Sequence, residues 1–375
     1  MPTVDGLDEL LERCRREVDD GLLPSCQVAV ARGDELVAYE TFGAAEPDSR
    51  YVIFSCTKAV VVGAFWLLLA EGAIGLDQRV AEVIPEFGIN GKDVVTVRQL
   101  LLHESGFPQA PLDLVRDTTR AQRLDRFGRW RLNWEPGTRF EYHPTSAHWV
   151  MAELIERLSG VDYRVFIRER VLDPLGLRRL RLGVPPGEQG NINDLVACGE
   201  PPTSEELEAV FGMPGLTLEL LQGEVTEDAL LTFNRPDVRA MGVPGGGAVS
   251  TAADLALYYQ ALLHNPDELW DPAWLAAGTR EVHGTLPDPL THVSSNRALG
   301  TVIAGEGRDA AMRGFGYTVS PRTFGHAGAG GQIAFADPDT DLSFCYLTNG
   351  LDANVIREHR RTASIASRVG KLGAG

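Results

Sequence analysis

The chain has 375 residues, 44% of them hydrophobic, and a formal net charge of −17 with histidine neutral. That length is enough for two domains and a large core. The acidic balance repels phosphate backbones and anionic lipid headgroups, so neither nucleic acid nor a membrane is an expected partner.

The first 22 residues predict a charged amphipathic helix. They lack the basic and apolar regions of a secretory signal. The five cysteines (Cys14, Cys26, Cys56, Cys198, Cys345) are odd in number, with no C-x-x-C pair, which suits free thiols in a reducing compartment. Cytoplasm is the expected location, provided the chain starts here naturally. SCQVAVARGDELVAYETFG (25–43) predicts a hairpin around Arg32-Gly33-Asp34, and RYVIF (50–54) a short extended run. The segment 58–71 is apolar on nearly every face and predicts a fully buried helix. Helical signals dominate from about 110 to 240. The clearest is TSAHWVMAELIERLSG (145–160), with Pro144 expected at its first helical position and Gly160 at its end. A helix is expected in VPGGGAVSTAADLALYYQALL (243–263) by its 3.6-residue period. Strands are then expected in HVSSNRALGTVI, GQIAFADP and LSFCYLTNG, and a last helix over roughly 352–370.

Both ends therefore carry strands and the middle is helical. The expected fold class is α/β plus all-α: one sheet domain from residues 1–75 and 241–375, with a mostly helical domain, 76–240, inserted. A cleft between such parts is a natural ligand site.

The stretch FSCTK (54–58) sits at the mouth of the buried helix. It spends one of only three lysines, against 32 arginines. On a helix, Ser55 and Lys58 lie one turn apart on one face. Burial would push Lys58 toward the neutral amine, which can take the serine proton. The plain alternative is a capping serine followed by a lysine that snorkels to solvent. The following helix, however, offers no polar face to snorkel along.

FSCTK, VTVRQLLLHESGF (95–107), WEPGTRFEYHPTSAHWVMAELIERLSG (134–160), VPGGGAVSTAADLALYYQALL (243–263) and FGHAGAGGQIAFADP (324–338) occur in that order. Together they resemble the serine β-lactamase and penicillin-binding family, in particular its class C-like branch of carboxylesterases and acyltransferases. The resemblance covers about 25–350. It implies a β-lactamase/transpeptidase-like fold, an antiparallel sheet flanked by helices with an inserted helical domain. It also implies Ser55 as acyl-accepting nucleophile, Lys58 as its activating base, and Tyr142 as the group that shares the proton and passes it to the leaving group. Because a tyrosine ordinarily titrates near pH 10, Tyr142 would need Lys58 as a cationic neighbour. The N–H groups of Ser55 and Ala329 are the expected oxyanion hole. His326 and Gly328 are expected at the substrate, with His143 at the rim of the site and His148 a helix residue.

Two departures from the family pattern shape the expected substrate. Tyr142-His143-Pro144 lacks the side-chain amide of Y-x-N, and His326 replaces a permanently charged lysine. Both argue against efficient β-lactam or D-Ala-D-Ala cleavage. The resulting expectation is a serine hydrolase acting on esters, possibly amides, of a small acyl substrate. The alternatives are an acyltransferase, a D-amino-acid peptidase or β-lactamase, or a non-catalytic scaffold of the same fold. No cofactor and no metal are expected, since His103-Glu104 lacks the second histidine of H-E-x-x-H. The expected partner is the small-molecule substrate, with self-association left open. Residues 185–240, where the resemblance is weakest, are expected to shape the pocket.

Overall fold

The computed structural model describes residues 5–372. Strands from the two ends of the chain meet in one six-stranded antiparallel sheet. Its order is Glu35–Gly43, Ser25–Arg32, Leu342–Thr348, Gln332–Asp337, Phe324–Gly328 and Val302–Ile303. The first two strands form the expected hairpin. Its tip, Gly33-Asp34, has φ of 57° and 65°, the pair of positive values that matches a two-residue turn to the strand twist.

Side chains alternate across this sheet. Cys26, Val28 and Val30 join Phe335, Phe344 and Tyr346 under the terminal helices Leu7–Asp19 and Val355–Leu372. Ala29 and Ala31 face the other way, with Ala334, Ala336 and Cys345, onto the larger core around the helices Thr57–Ala70 and Ala252–His264. Thr57–Ala70 is buried at every position from Thr57 to Leu69. That explains its lack of a polar face, and it packs against the helices Ser146–Ser159 and Pro272–Thr279. Three indole and phenol donors tie it in place. Trp66 Nε1 donates to Leu299 O (2.9 Å), Trp270 Nε1 to Gly63 O (2.8 Å) and Tyr258 Oη to Ala59 O (2.9 Å).

Two small sheets join distant segments. Ala248–Ser250 lies between Tyr51–Val52 and Arg181–Leu182, and Gly350–Asp352 pairs in parallel with Val196–Cys198. Two expectations need correction. Only Val302–Ile303 of the segment 292–303 is a strand, because His292, Asn296 and Gly300 take positive φ and fold the rest into bridged turns. Pro144 is not the first residue of its helix. Thr145 is the N-cap, and the helix begins at Ser146, leaving the carbonyl of Pro144 free for a different role. Among the described residues no helix is long and apolar enough to cross a membrane.

Candidate active site

The nucleophile turn is a single 3-10 turn, Phe54–Cys56, running directly into the helix Thr57–Ala70. Phe54 has φ 41°, unfavourable for a bulky side chain and held only where surroundings over-determine it. The surroundings are an edge-to-face contact with Phe233 at 5.4 Å and Cys56. The Cys56 thiol donates to His326 O at 3.1 Å, pinning the turn to the strand Phe324–Gly328. Burial pushes that thiol up to about 12, which removes it as a competing thiolate. The strand comes close because residue 328 is glycine. A Cβ there would lie 2.7 Å from Ile53 O.

Lys58 is fully buried and does not snorkel. Its Nζ lies 3.1 Å from Ser55 Oγ, 2.7 Å from Pro144 O and 2.6 Å from Gly245 O. Burial and the Arg297 guanidinium hold its pKa well below the ordinary lysine value. A neutral amine has two N–H donors and one lone pair. The two carbonyls take the donors, and the lone pair is left for the Ser55 hydroxyl. Gly245 allows this approach, since a Cβ there would sit 2.8 Å from Pro144 O.

Tyr142 places its ring 5.0 Å from Lys58 Nζ. Its Oη is buried and makes no hydrogen bond. Burial pushes the phenol up to about 12, opposed first by Arg297. Besides Lys58, the neighbour expected from sequence, a second basic side chain faces this ring: the Arg297 guanidinium lies 5.4 Å from the Tyr142 ring centre and 5.6 Å from that of Phe140. Burial brings its own pKa down to about 10. One of its nitrogens is 3.5 Å from His326 Nε2, while its Nε has no partner. No motif marks Arg297 in the sequence; it lies in one of the turns mistaken for a strand.

His326 is buried, with its ring 5.8 Å from that of Tyr142. Nδ1 lies 2.6 Å from Ala327 O. Burial and Arg297 hold its pKa well below the usual histidine range, so it is neutral near pH 7. His143 is not at the rim. It is fully buried, with Nδ1 2.6 Å from Glu141 O and Nε2 accepting from Phe107 N at 3.2 Å. Those bonds spend both ring nitrogens inside the protein. His148 is also buried, with neither ring nitrogen partnered. Trp130 and Phe107 are core residues stacked on one another at 5.9 Å.

His103 is a further residue that motif reasoning passed over. Its φ is 58°, and it clamps both neighbours of Tyr142. His103 O accepts from Glu141 N (3.2 Å), and His103 Nδ1 accepts from His143 N (3.0 Å). The ring itself lies 4.8 Å from Tyr142. His103→Leu should therefore lower kcat by about tenfold to a hundredfold, the cost of orphaning a buried N–H. His103→Asn keeps an acceptor and tolerates positive φ, so it should lose less than about fivefold. Steady-state hydrolysis alongside thermal melts checks both.

Two cavities meet at this constellation. One, of about 260 Å³, has Ser55 and Ala329 in its wall. The other, of about 560 Å³, has Tyr142 and Ala329 in its wall. The segment Leu220–Leu230 contributes to the second, and Glu224–Phe233 to the first.

A serine within hydrogen-bond reach of a buried lysine, with a tyrosine beside them next to an antiparallel sheet, fits a serine hydrolase with the β-lactamase/transpeptidase-like fold. The comparisons agree. A family model described as Beta-lactamase matches residues 10–367, and the chain belongs to that family. It is 28% identical over 328 residues to the Esterase/beta-lactamase LipL of Mycobacterium tuberculosis, covering 81% of this chain and 70% of that protein. Among solved structures, a penicillin-binding protein homolog from Caulobacter crescentus superposes with TM-score 0.80 at 25% identity, covering 98% of each chain. EstA from Arthrobacter nitroguajacolicus Rue61a superposes with TM-score 0.78 at 24% identity, covering 99% of this chain and 98% of EstA.

Proposed function

We propose that the protein hydrolyses esters of small acyl groups through an acyl-Ser55 intermediate. The observation that carries this reading is the position of Lys58 Nζ, 3.1 Å from Ser55 Oγ with its two N–H groups taken by carbonyls. Ser55 Oγ attacks the ester carbonyl while its proton passes to Lys58. The N–H groups of Ser55 and Ala329 hold the oxyanion. The carbon–oxygen bond to the alcohol breaks, and Tyr142 delivers the proton to the leaving oxygen as Lys58 restores it. Water then repeats the sequence in reverse and releases the acid. An alcohol or amine acceptor in place of water would make the same site an acyltransferase.

A carboxylate-bearing substrate, as in a D-peptidase or β-lactamase, is disfavoured by charge. The cavity on the Tyr142 side is walled by Glu141, Glu224, Glu227, Asp288, Asp352 and Glu358, with no lysine or arginine. Of these, Asp352 is paired with Arg357 and Arg361 and Glu141 with Arg139, and burial pushes Glu224 and Glu358 up to about 7, which leaves Glu227 and Asp288 to carry the negative charge. Arg297 is a cation near pH 7 close by, but it is buried beside Tyr142 and His326 and lines neither cavity. A chromogenic cephalosporin should accordingly turn over at least about a hundredfold more slowly than a short ester, about 2.7 kcal/mol of transition-state stabilisation. Comparable specificity constants would overturn the substrate class. Intact-mass detection of an acyl adduct after exposure to an ester panel tests the intermediate itself.

A further inference from the structure

We propose that the 260 Å³ cavity is the acyl pocket and that it selects an apolar acyl chain of about six to eight carbons. This inference rests on the esterase reading above and names its substrate. The assignment follows from which catalytic group each cavity touches. Tyr142, the proton donor to the leaving oxygen, lines the wide acidic cavity and not the narrow one. Ser55, which carries the acyl group, lines the narrow one and not the wide one. An ester bound across the two therefore points its alcohol toward the carboxylates and its acyl chain into the narrow cavity.

The narrow cavity is apolar along its length, walled by Phe54, Leu112, Leu114, Val225, Leu230 and Phe233. Its two carboxylates do not alter that. Asp113 Oδ1 accepts from the N–H groups of Val115 and Arg116 and its Oδ2 pairs with Arg116 Nε at 3.4 Å, and Glu224 stands where the two cavities meet. A cavity of about 260 Å³ has space for at most about eight groups of roughly 30 Å³ each, which sets the upper end of the chain length. The floor beside Ser55 is Gly245-Gly246. A Cβ on Gly246 would make only ordinary contacts, 3.7 Å from Phe54 C and 4.0 Å from Phe233 Cζ. The missing side chain there leaves room for substrate.

The test uses the full chain and two series. One is p-nitrophenyl esters from acetate to dodecanoate. The other is n-alkyl fluorophosphonates of matching length, in which Ser55 Oγ bonds to phosphorus, fluoride leaves and the serine proton passes to solvent. Both kcat/KM and the inactivation rate constant should rise by up to about fourfold per methylene to about eight carbons and fall by the dodecyl member. Gly246→Ala and Ala229→Leu, each narrowing the pocket, should lower the octanoate-to-acetate ratio at least tenfold. A flat profile, or one highest at two carbons, overturns the acyl pocket while leaving Ser55 as nucleophile. Absence of any Ser55 adduct overturns the esterase reading and the pocket with it.

Discussion

Ser55→Ala should abolish ester hydrolysis, with a loss on the order of 10⁴-fold or more, while the protein stays folded. Ser55 Oγ has Lys58 within hydrogen-bond reach, and the turn that carries it is held by Phe54, Cys56 and the adjoining helix rather than by the hydroxyl. Removing one oxygen leaves those contacts intact. A fluorophosphonate probe should add a single adduct to the wild-type protein, on the peptide containing Ser55, and none to the variant. Full activity in Ser55→Ala, with labelling elsewhere, would sink the assignment.

Lys58→Arg should fail nearly as badly as Lys58→Ala. Arginine keeps the charge but does not deprotonate near neutral pH, and the space between Ser55, Pro144 and Gly245 fits one nitrogen rather than a guanidinium. Losing a general base typically costs about 10²- to 10⁴-fold, and here both acylation and deacylation depend on it. The pre-steady-state burst should vanish in both variants. Retention of more than about a tenth of wild-type activity in Lys58→Arg, a loss under about 1.4 kcal/mol, would make Lys58 structural.

The same amine sets the pH dependence. Lys58 acts when neutral, and burial holds its pKa well below the usual lysine value. Activity should thus be present above that lowered pKa and fall as pH drops through it. Burial pushes the Tyr142 phenol up to about 12, so Tyr142 itself should add no alkaline limb in the neutral range. Glu224, pushed up to about 7 by burial, could mimic an acid limb. The limb should therefore persist in Glu224→Gln.

Much of this site is legible in the sequence because its central relation is local. The three-residue spacing of Ser55 and Lys58 puts them on one helical face wherever that helix goes, and an apolar run with no polar face leaves the lysine nowhere to emerge. The strands, the hairpin tip and the caps follow from period-two alternation, from Gly33 and from Gly160. The segment 292–303 was misread because its β-rich composition says nothing of the positive φ at His292, Asn296 and Gly300. His143 was misplaced because polarity alone suggests a rim, whereas three neighbouring backbone and side-chain groups bind its ring inside.

By itself, then, the sequence determined the pairing of Ser55 with Lys58, the order of its blocks and the identity of most elements, all set by neighbours along the chain. Only the tertiary structure decided what surrounds that lysine. The carbonyls of Pro144 and Gly245 reach Nζ from 86 and 187 residues away. It alone added Arg297 to Lys58 among the groups facing Tyr142, and revealed His103 as the clamp on that residue's two neighbours. It also set an apolar cavity beside Ser55 against an acidic one beside Tyr142. Burial, field and cavity polarity depend on which distant segments pack together, and no spacing along the chain encodes them.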